Sequence, residues 1–161
     1  MNKIVIPGGT GYLGRALTAR LVARGNEVVI LSRSPHVRVD GAQVVAWDAK
    51  TVGPWARELD GAQAIVHLNG RRVDVRGTRR NIDDLIRSRV QPVRAVGEAL
   101  NVCDNPPPEW VQSSSLAIFG DTGDALIDEY STPTGIGPRE TICSTRCCWQ
   151  STIPRWSARI T

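Results

Sequence analysis

The segment Lys3-Ile4-Val5-Ile6-Pro7-Gly8-Gly9-Thr10-Gly11-Tyr12-Leu13-Gly14 constrains the fold more than any other part of this 161-residue chain. A short apolar run leads into glycines at 8, 11 and 14, and a helical pattern follows. Glycine lets the backbone turn sharply and approach a ligand with no Cβ in the way. The amides that open the following helix, and the positive end of its dipole, then face an anion. Strand, glycine turn and helix in that order predict a cradle for the pyrophosphate of a dinucleotide.

The rest of the chain continues the alternation. Leu13, Ala16, Leu17, Leu21 and Val22 recur at helical spacing, and Gly25-Asn26 closes that helix. Residues 27–31 read as a buried second strand, 43–47 as a third, 52–60 as a short helix and 64–68 as a fourth strand. A long helix is expected from about Asn81 to Val102, with a kink or break at Pro92. Pro106-Pro107-Pro108 forms a rigid connector, and Trp110-Val111-Gln112 enters a fifth strand that ends in Ser113-Ser114-Ser115. This is the pattern of an α/β fold: an open parallel sheet with helices on both faces, ordered 3-2-1-4-5. Ligand is expected across the carboxyl ends of strands one and four.

Composition narrows the function classes. The net charge of +4 rests on 18 arginines and two lysines, and eight of the arginines fall between Arg71 and Arg94. They read as a solvated helix face or as a contact for a phosphate-rich ligand. No aromatic residue interleaves with them as a stacking platform for nucleic acid requires, so no nucleic-acid partner is expected. No apolar stretch is long enough to cross a membrane. The apolar run after Met1 is too short for a signal peptide. Cys103, Cys143, Cys147 and Cys148 form neither a disulfide framework nor a paired metal motif, so a reducing cytoplasm and no metal are expected.

Arg139 to Thr161 breaks this composition. It holds one acidic residue, Glu140, with four arginines, three of the four cysteines and two of the five tryptophans. No period organises Ile142, Trp149, Ile153 and Trp156. Residues 1–138 therefore read as the folded domain. Residues 139–161 read as an irregular tail, either out of frame or a loosely ordered terminus.

Several short motifs, in order, carry a family resemblance. Beside the glycine turn stand Leu68-Asn69-Gly70-Arg71, Asn81 and Ser88-Arg89 in the long helix, Ser113 to Gly120, and Asp128-Glu129 followed by Pro133. Residues 1 to about 138 thereby resemble the extended and atypical short-chain dehydrogenase/reductases. The nearest likeness is to the NAD-dependent epimerase/dehydratase family of nucleoside-diphosphate-sugar epimerases. The resemblance implies a Rossmann-like domain, an NADP or NAD cofactor and a small-molecule substrate such as a nucleotide sugar. Family members continue into a sixth strand and a C-terminal substrate lobe, which this chain is expected to lack. An unfinished sheet edge of that kind leaves a homo-oligomer open.

Gly8, Gly11 and Gly14 are expected to cradle the pyrophosphate, with backbone amides added by Thr10 and Leu13. Ser32 and Arg33 follow the second strand, where an acidic residue would bind a free ribose hydroxyl and an arginine better suits a 2′-phosphate. They favour NADP over NAD; otherwise Arg33 is a solvated loop residue. Asp48 either contacts adenine, as the resemblance implies, or caps the next helix. Leu68, Asn69 and Gly70 should line the cofactor, with Asn69 replacing the usual alanine. Ser115 matches the family serine that hydrogen-bonds the reacting oxygen, and a strand-end serine satisfied by backbone is its alternative. The family's partner tyrosine and lysine are missing: the only tyrosines are Tyr12 and Tyr130, no lysine follows Lys50, and Phe119 stands where a tyrosine is common. A phenol of ordinary pKa near ~10 needs such an ammonium to move a proton near neutrality. The resemblance thus implies either an epimerase-like oxidoreductase or a catalytically silent NADP-binding module, sensory or truncated.

Overall fold

A computed structural model describes residues 1–113, 119, 122–128, 130 and 131. Five strands form one sheet: β1 (Lys3–Pro7), β2 (Glu27–Ser32), β3 (Ala42–Ala46), β4 (Ala64–His67) and β5 (Glu109–Gln112). Helix α1 (Tyr12–Ala23) follows β1, a 3-10 helix (Pro54–Leu59) precedes β4, and α2 (Arg79–Asn101) lies between β4 and β5. The order is β3-β2-β1-β4-β5 and every pairing is parallel, as the alternation predicted.

The chain divides into two compact units. The first, Met1–Gly70 with Gln91–Ser113, holds the whole sheet; the described residues of the second include Arg71–Val90. In the first unit, successive strand residues point to opposite faces and build two cores. Val5, Val29, Leu31 and Ile65 pack on one face with Trp55, Leu59, Val96 and Leu100. Ile4, Ile6, Val28 and Ile30 pack on the other with Leu17, Leu21 and Val22 of α1. The runs of β1 and β2 read as continuous apolar segments because both faces are covered.

The edge where β1, β4 and β5 begin is held by Asp60. Its Oδ1 accepts from the Asn105 amide (2.8 Å) and from the Cys103 thiol (3.6 Å), while its carbonyl accepts from Lys3 Nζ (2.8 Å). Asn105 returns the contact, its carbonyl accepting from the Gly61 amide at 2.9 Å. Burial, with the Asp60 charge beside it, pushes the Cys103 thiol up from its ordinary pKa.

Four local expectations change. In α1 the buried positions are Gly14 and Thr18; Leu13 and Ala16 are exposed. A close approach at Gly14 turns the small residues inward, which hydropathy alone does not anticipate. The third strand ends one residue earlier than expected, and Trp47 leaves it to pack edge-on against Trp55 (5.2 Å, 78°). The short helix over 52–60 is of the 3-10 type. Helix α2 is unbroken at Pro92, because Ala95, Val96, Ala99 and Leu100 bury the following turns and outweigh one lost backbone bond. Gly25 (φ 77°) does close α1, with Gly25 N donating to the Val22 carbonyl and Asn26 N to that of Leu21. Among the described residues, no helix is long and apolar enough to cross a membrane, and no group of metal-ligating side chains occurs.

Candidate functional site

Parallel strands all end on the same edge, so the loops that follow them share one rim. Gly8 follows β1, Arg33 follows β2, Trp47-Asp48 follow β3, and Leu68-Asn69-Gly70 follow β4. Gly8, Arg33, Asp48 and the Leu68-Asn69-Gly70 segment are among the cofactor-binding residues singled out from sequence, and the first unit holds all of these. The order reverses between β1 and β4, which makes this the switch point of the sheet.

The three glycines of the turn serve three different purposes. Gly8 is left-handed (φ 81°), and a Cβ there would stand 2.5 Å from Asn69 Oδ1 and 2.9 Å from the Asn69 amide. At Gly14 a Cβ would collide with the Gly9 carbonyl, so this glycine lets α1 sit down on the turn. Gly11 has no such internal reason. Its φ of −76° suits any residue, and a Cβ would meet only the Gly8 carbonyl, at 3.9 Å. The space it leaves opens outward, where a ligand would lie.

Helix α1 begins at that point with no side-chain cap and no acidic residue in its first turn. The opening amides of a helix have no partner within it, so those of Tyr12, Leu13 and Gly14 and the positive dipole end stand unneutralised. Arg15 braces the turn: its Nε donates to the Thr10 carbonyl (3.0 Å) and its Nη1 to that of Arg38 (3.3 Å). Sequence reasoning missed this role, although an arginine at the fourth helical position beside an anion cradle was visible.

Arg33 is exposed and makes no ion pair among the described residues. Ser32 is buried, and its hydroxyl shapes the loop by donating to the Ser34 carbonyl (3.3 Å) and accepting from the Ser34 amide (3.1 Å). Asp48 ties a turn: Oδ1 accepts from the amides of Lys50 (2.8 Å) and Thr51 (3.0 Å), and Oδ2 from the Thr51 hydroxyl (2.6 Å). That hydroxyl bond, then the amides, lowers its pKa to about 2. The helix after it is capped instead by Gly53, so the expected capping role becomes a turn-forming one. Leu68 donates its amide to the Pro7 carbonyl at 2.9 Å, which fixes the loop after β4 against the glycine turn. Asn69 is half-buried, and its Nδ2 is covered without a hydrogen-bond partner.

Below the rim, His67 is fully buried at the end of β4 and stacks on Trp110 (5.9 Å, 15°). Gln112 Nε2 lies 3.3 Å from His67 Nδ1 and donates to the Ser113 carbonyl at 3.1 Å. Burial lowers the His67 pKa to about 4, offset only in part by the Pro92 carbonyl.

The second unit gives partners to part of the arginine cluster and to two motif residues. Asp84 takes Arg71 (2.9 Å) on one oxygen and Arg87 (2.6 Å) on the other, and Arg72 pairs with Asp74 at 3.1 Å. The Arg87 hydrogen bond foremost holds Asp84 below its ordinary pKa. Ser88 Oγ accepts from the Arg71 amide (3.0 Å), while Arg89 donates to the Arg71 carbonyl (3.1 Å). Ser88-Arg89 thus pin the backbone just past Gly70. Asp128 closes a turn on the Tyr130 amide and the Ser131 hydroxyl. Ser115, Ser114, Glu129, Pro133 and residues 139–161 lie outside the described residues, and with them the candidate catalytic serine and the irregular tail.

Comparison with known proteins agrees with this fold. The sequence profile of the NAD dependent epimerase/dehydratase family matches residues 4–142. The epimerase family protein SDR39U1 of Bos taurus is 30% identical over 132 residues, covering 80% of this chain and 42% of that protein. The crystal structure of human SDR39U1 (isoform 2) with NADPH superposes with a TM-score of 0.72 at 25% identity, covering 93% of this chain and 48% of that one. MoeE5 in complex with UDP-glucuronic acid and NAD shares the fold with a TM-score of 0.76 at 19% identity, covering 94% and 49%. The chain therefore spans about half the length of these relatives or less.

Proposed function

The chain belongs to the NAD-dependent epimerase/dehydratase family, and on that footing we propose that it binds a nicotinamide dinucleotide across the carboxyl edge of β1, β2 and β4. The observation that carries this reading is Gly11, a glycine with no conformational or packing reason at the mouth of an uncapped helix. Gly8, Thr10, Gly11, Leu13 and Gly14 would hold the pyrophosphate through backbone amides. Arg33 would take the 2′-phosphate, favouring NADP, in keeping with the NADPH found in human SDR39U1. Asp48 would reach adenine only with the carboxylate capacity its turn leaves free.

The bound dinucleotide supplies reversible hydride transfer. In the complete site the substrate would be a nucleotide sugar, as the UDP-sugar complex of MoeE5 suggests. Ser115 would hydrogen-bond the oxygen on the reacting carbon. A catalytically silent NADP-binding module is the second reading, favoured by the lack of a lysine after Lys50 and of a tyrosine near Ser115.

Fluorescence titration with NADPH and NADH tests the cofactor. Gly11→Val fills the open space and is expected to weaken binding by about 100-fold or more. Failure of the wild-type protein to bind either nucleotide below millimolar overturns the proposal. Turnover of any member of a nucleotide-sugar panel by the holo-protein rules out the silent reading.

A further inference from the structure

Arg15 stands one residue after the last glycine of the turn, on the first turn of α1, and its guanidinium reaches two loops at once. Nε donates to the Thr10 carbonyl (3.0 Å) within the glycine turn, and Nη1 donates to the Arg38 carbonyl (3.3 Å) in the loop after β2. The other polar bonds of that loop are local: Ser32 Oγ with Ser34, and the Val37 amide to the Ser34 carbonyl (3.2 Å). Val37 and Val39 pack on the apolar core. Among the described residues, the Arg15 bond is therefore the only hydrogen bond that ties residues 33–38 to a segment other than the adjoining end of β2. The loop it holds carries Arg33 and Arg38. Both are exposed, and neither they nor Arg15 forms an ion pair among the described residues.

An adenosine ribose fixes, by its covalent frame, the distance between a pyrophosphate on its 5′ carbon and a phosphate on its 2′ oxygen. A protein that reads both gains by holding its two recognition loops at one separation beforehand, because a loop ordered only on binding subtracts from affinity. We propose that Arg15 is a positioning residue for nucleotide choice, locking the loop that bears Arg33 to the glycine turn at the spacing NADP requires. This rests on the dinucleotide reading above, with Arg33 at the 2′-phosphate. A guanidinium suits the task, since its rigid fork offers diverging donors to two carbonyls, whereas an ammonium is a single point on a flexible stem. NADH has no phosphate on that oxygen and gains little from the fixed spacing.

The test titrates the full chain with NADPH and NADH by fluorescence, in wild type, Arg15→Ala, Arg15→Lys, Arg33→Ala and the Arg15→Ala/Arg33→Ala double variant. Each is assayed at a temperature at which melting shows it folded. Arg15→Ala is expected to bind NADPH about five-fold more weakly and NADH less than about two-fold more weakly. Arg15→Lys keeps the charge but not the bridge, so it should lose the same preference for NADPH. In the Arg33→Ala protein, removing Arg15 should change NADPH affinity by less than about two-fold, because nothing at the 2′-phosphate is left to position. Equal loss of both nucleotides in Arg15→Ala makes the residue a plain brace of the turn; it overturns the proposal and leaves the cofactor reading intact. A full NADPH preference in Arg15→Lys, or losses that simply add in the double variant, also overturns it, since charge alone would then be acting. A wild-type protein that binds NADPH no better than NADH overturns the proposal together with the assignment of Arg33. One that binds neither nucleotide overturns the dinucleotide reading itself.

Discussion

Acidification from pH 7 to pH 5 should weaken this fold through one side chain, His67. The ring is enclosed by the sheet and Trp110, and Nδ1 faces the amide nitrogen of Gln112. The Gln112 amide can donate to Nδ1 only while that nitrogen carries no proton. A second proton would place a donor against a donor and a charge in a covered site. Burial, opposed only in part by the Pro92 carbonyl, lowers the folded pKa from 6.5 to about 4. Above pH 6.5 both the folded and unfolded chains hold the ring neutral and the term vanishes. Between 6.5 and about 4 only the unfolded chain takes the proton, so stability falls as the pH drops. At about 1.4 kcal/mol per pH unit the loss is about 2 kcal/mol by pH 5 and about 3 kcal/mol by pH 4. Urea unfolding at pH 5 and pH 7, on the wild type and on His67→Phe, reads it directly. Phenylalanine keeps the ring against Trp110 but cannot titrate. The variant should be less stable at pH 7 yet much flatter with pH. Parallel pH dependence in the two proteins would refute the reasoning, as would a His67 ring resonance that titrates near pH 6.5.

Two further outcomes follow from the glycine turn and the loop beside it. Gly14→Ala should destabilise the protein by about 3 kcal/mol, since its methyl must displace the Gly9 carbonyl; denaturant midpoints measure it, and a neutral result would mean α1 does not seat there. Arg33→Ala should weaken NADPH about ten-fold or more and leave NADH nearly unchanged, by paired titrations; equal losses would place Arg33 away from the 2′-phosphate.

The strand order was legible because β1 and β2 are unbroken apolar runs, and a glycine turn straight after the first strand permits few connections. What stayed hidden depended on close contact between elements. Hydropathy placed Leu13 and Ala16 in the core of α1, but the Gly9 carbonyl draws Gly14 and Thr18 inward instead. The apolar run through Trp47 reads as strand to its last residue, whereas the indole is needed against Trp55. At the site, the glycines, Arg33 and Asn69 were all visible as residues. Their differing duties were not, because a motif does not say which glycine answers to its neighbours and which to a ligand. The sequence also proposed Asp48 as a helix cap, and only the backbone shows that it ties the turn before the helix.

The Asp60 clasp has a consequence for how such a protein can change over time. It joins the starts of β1, β4 and β5 through Lys3, Gly61 and Asn105, at the opposite edge from the described candidate cofactor-binding residues. Rigidity is anchored at one end of the sheet and recognition is displayed at the other. Replacements on the recognition rim away from Gly8 and Gly14, such as at exposed Arg33, can therefore be sampled with less risk to the scaffold. Drift in ligand preference is cheap here, and drift at Asp60 is not.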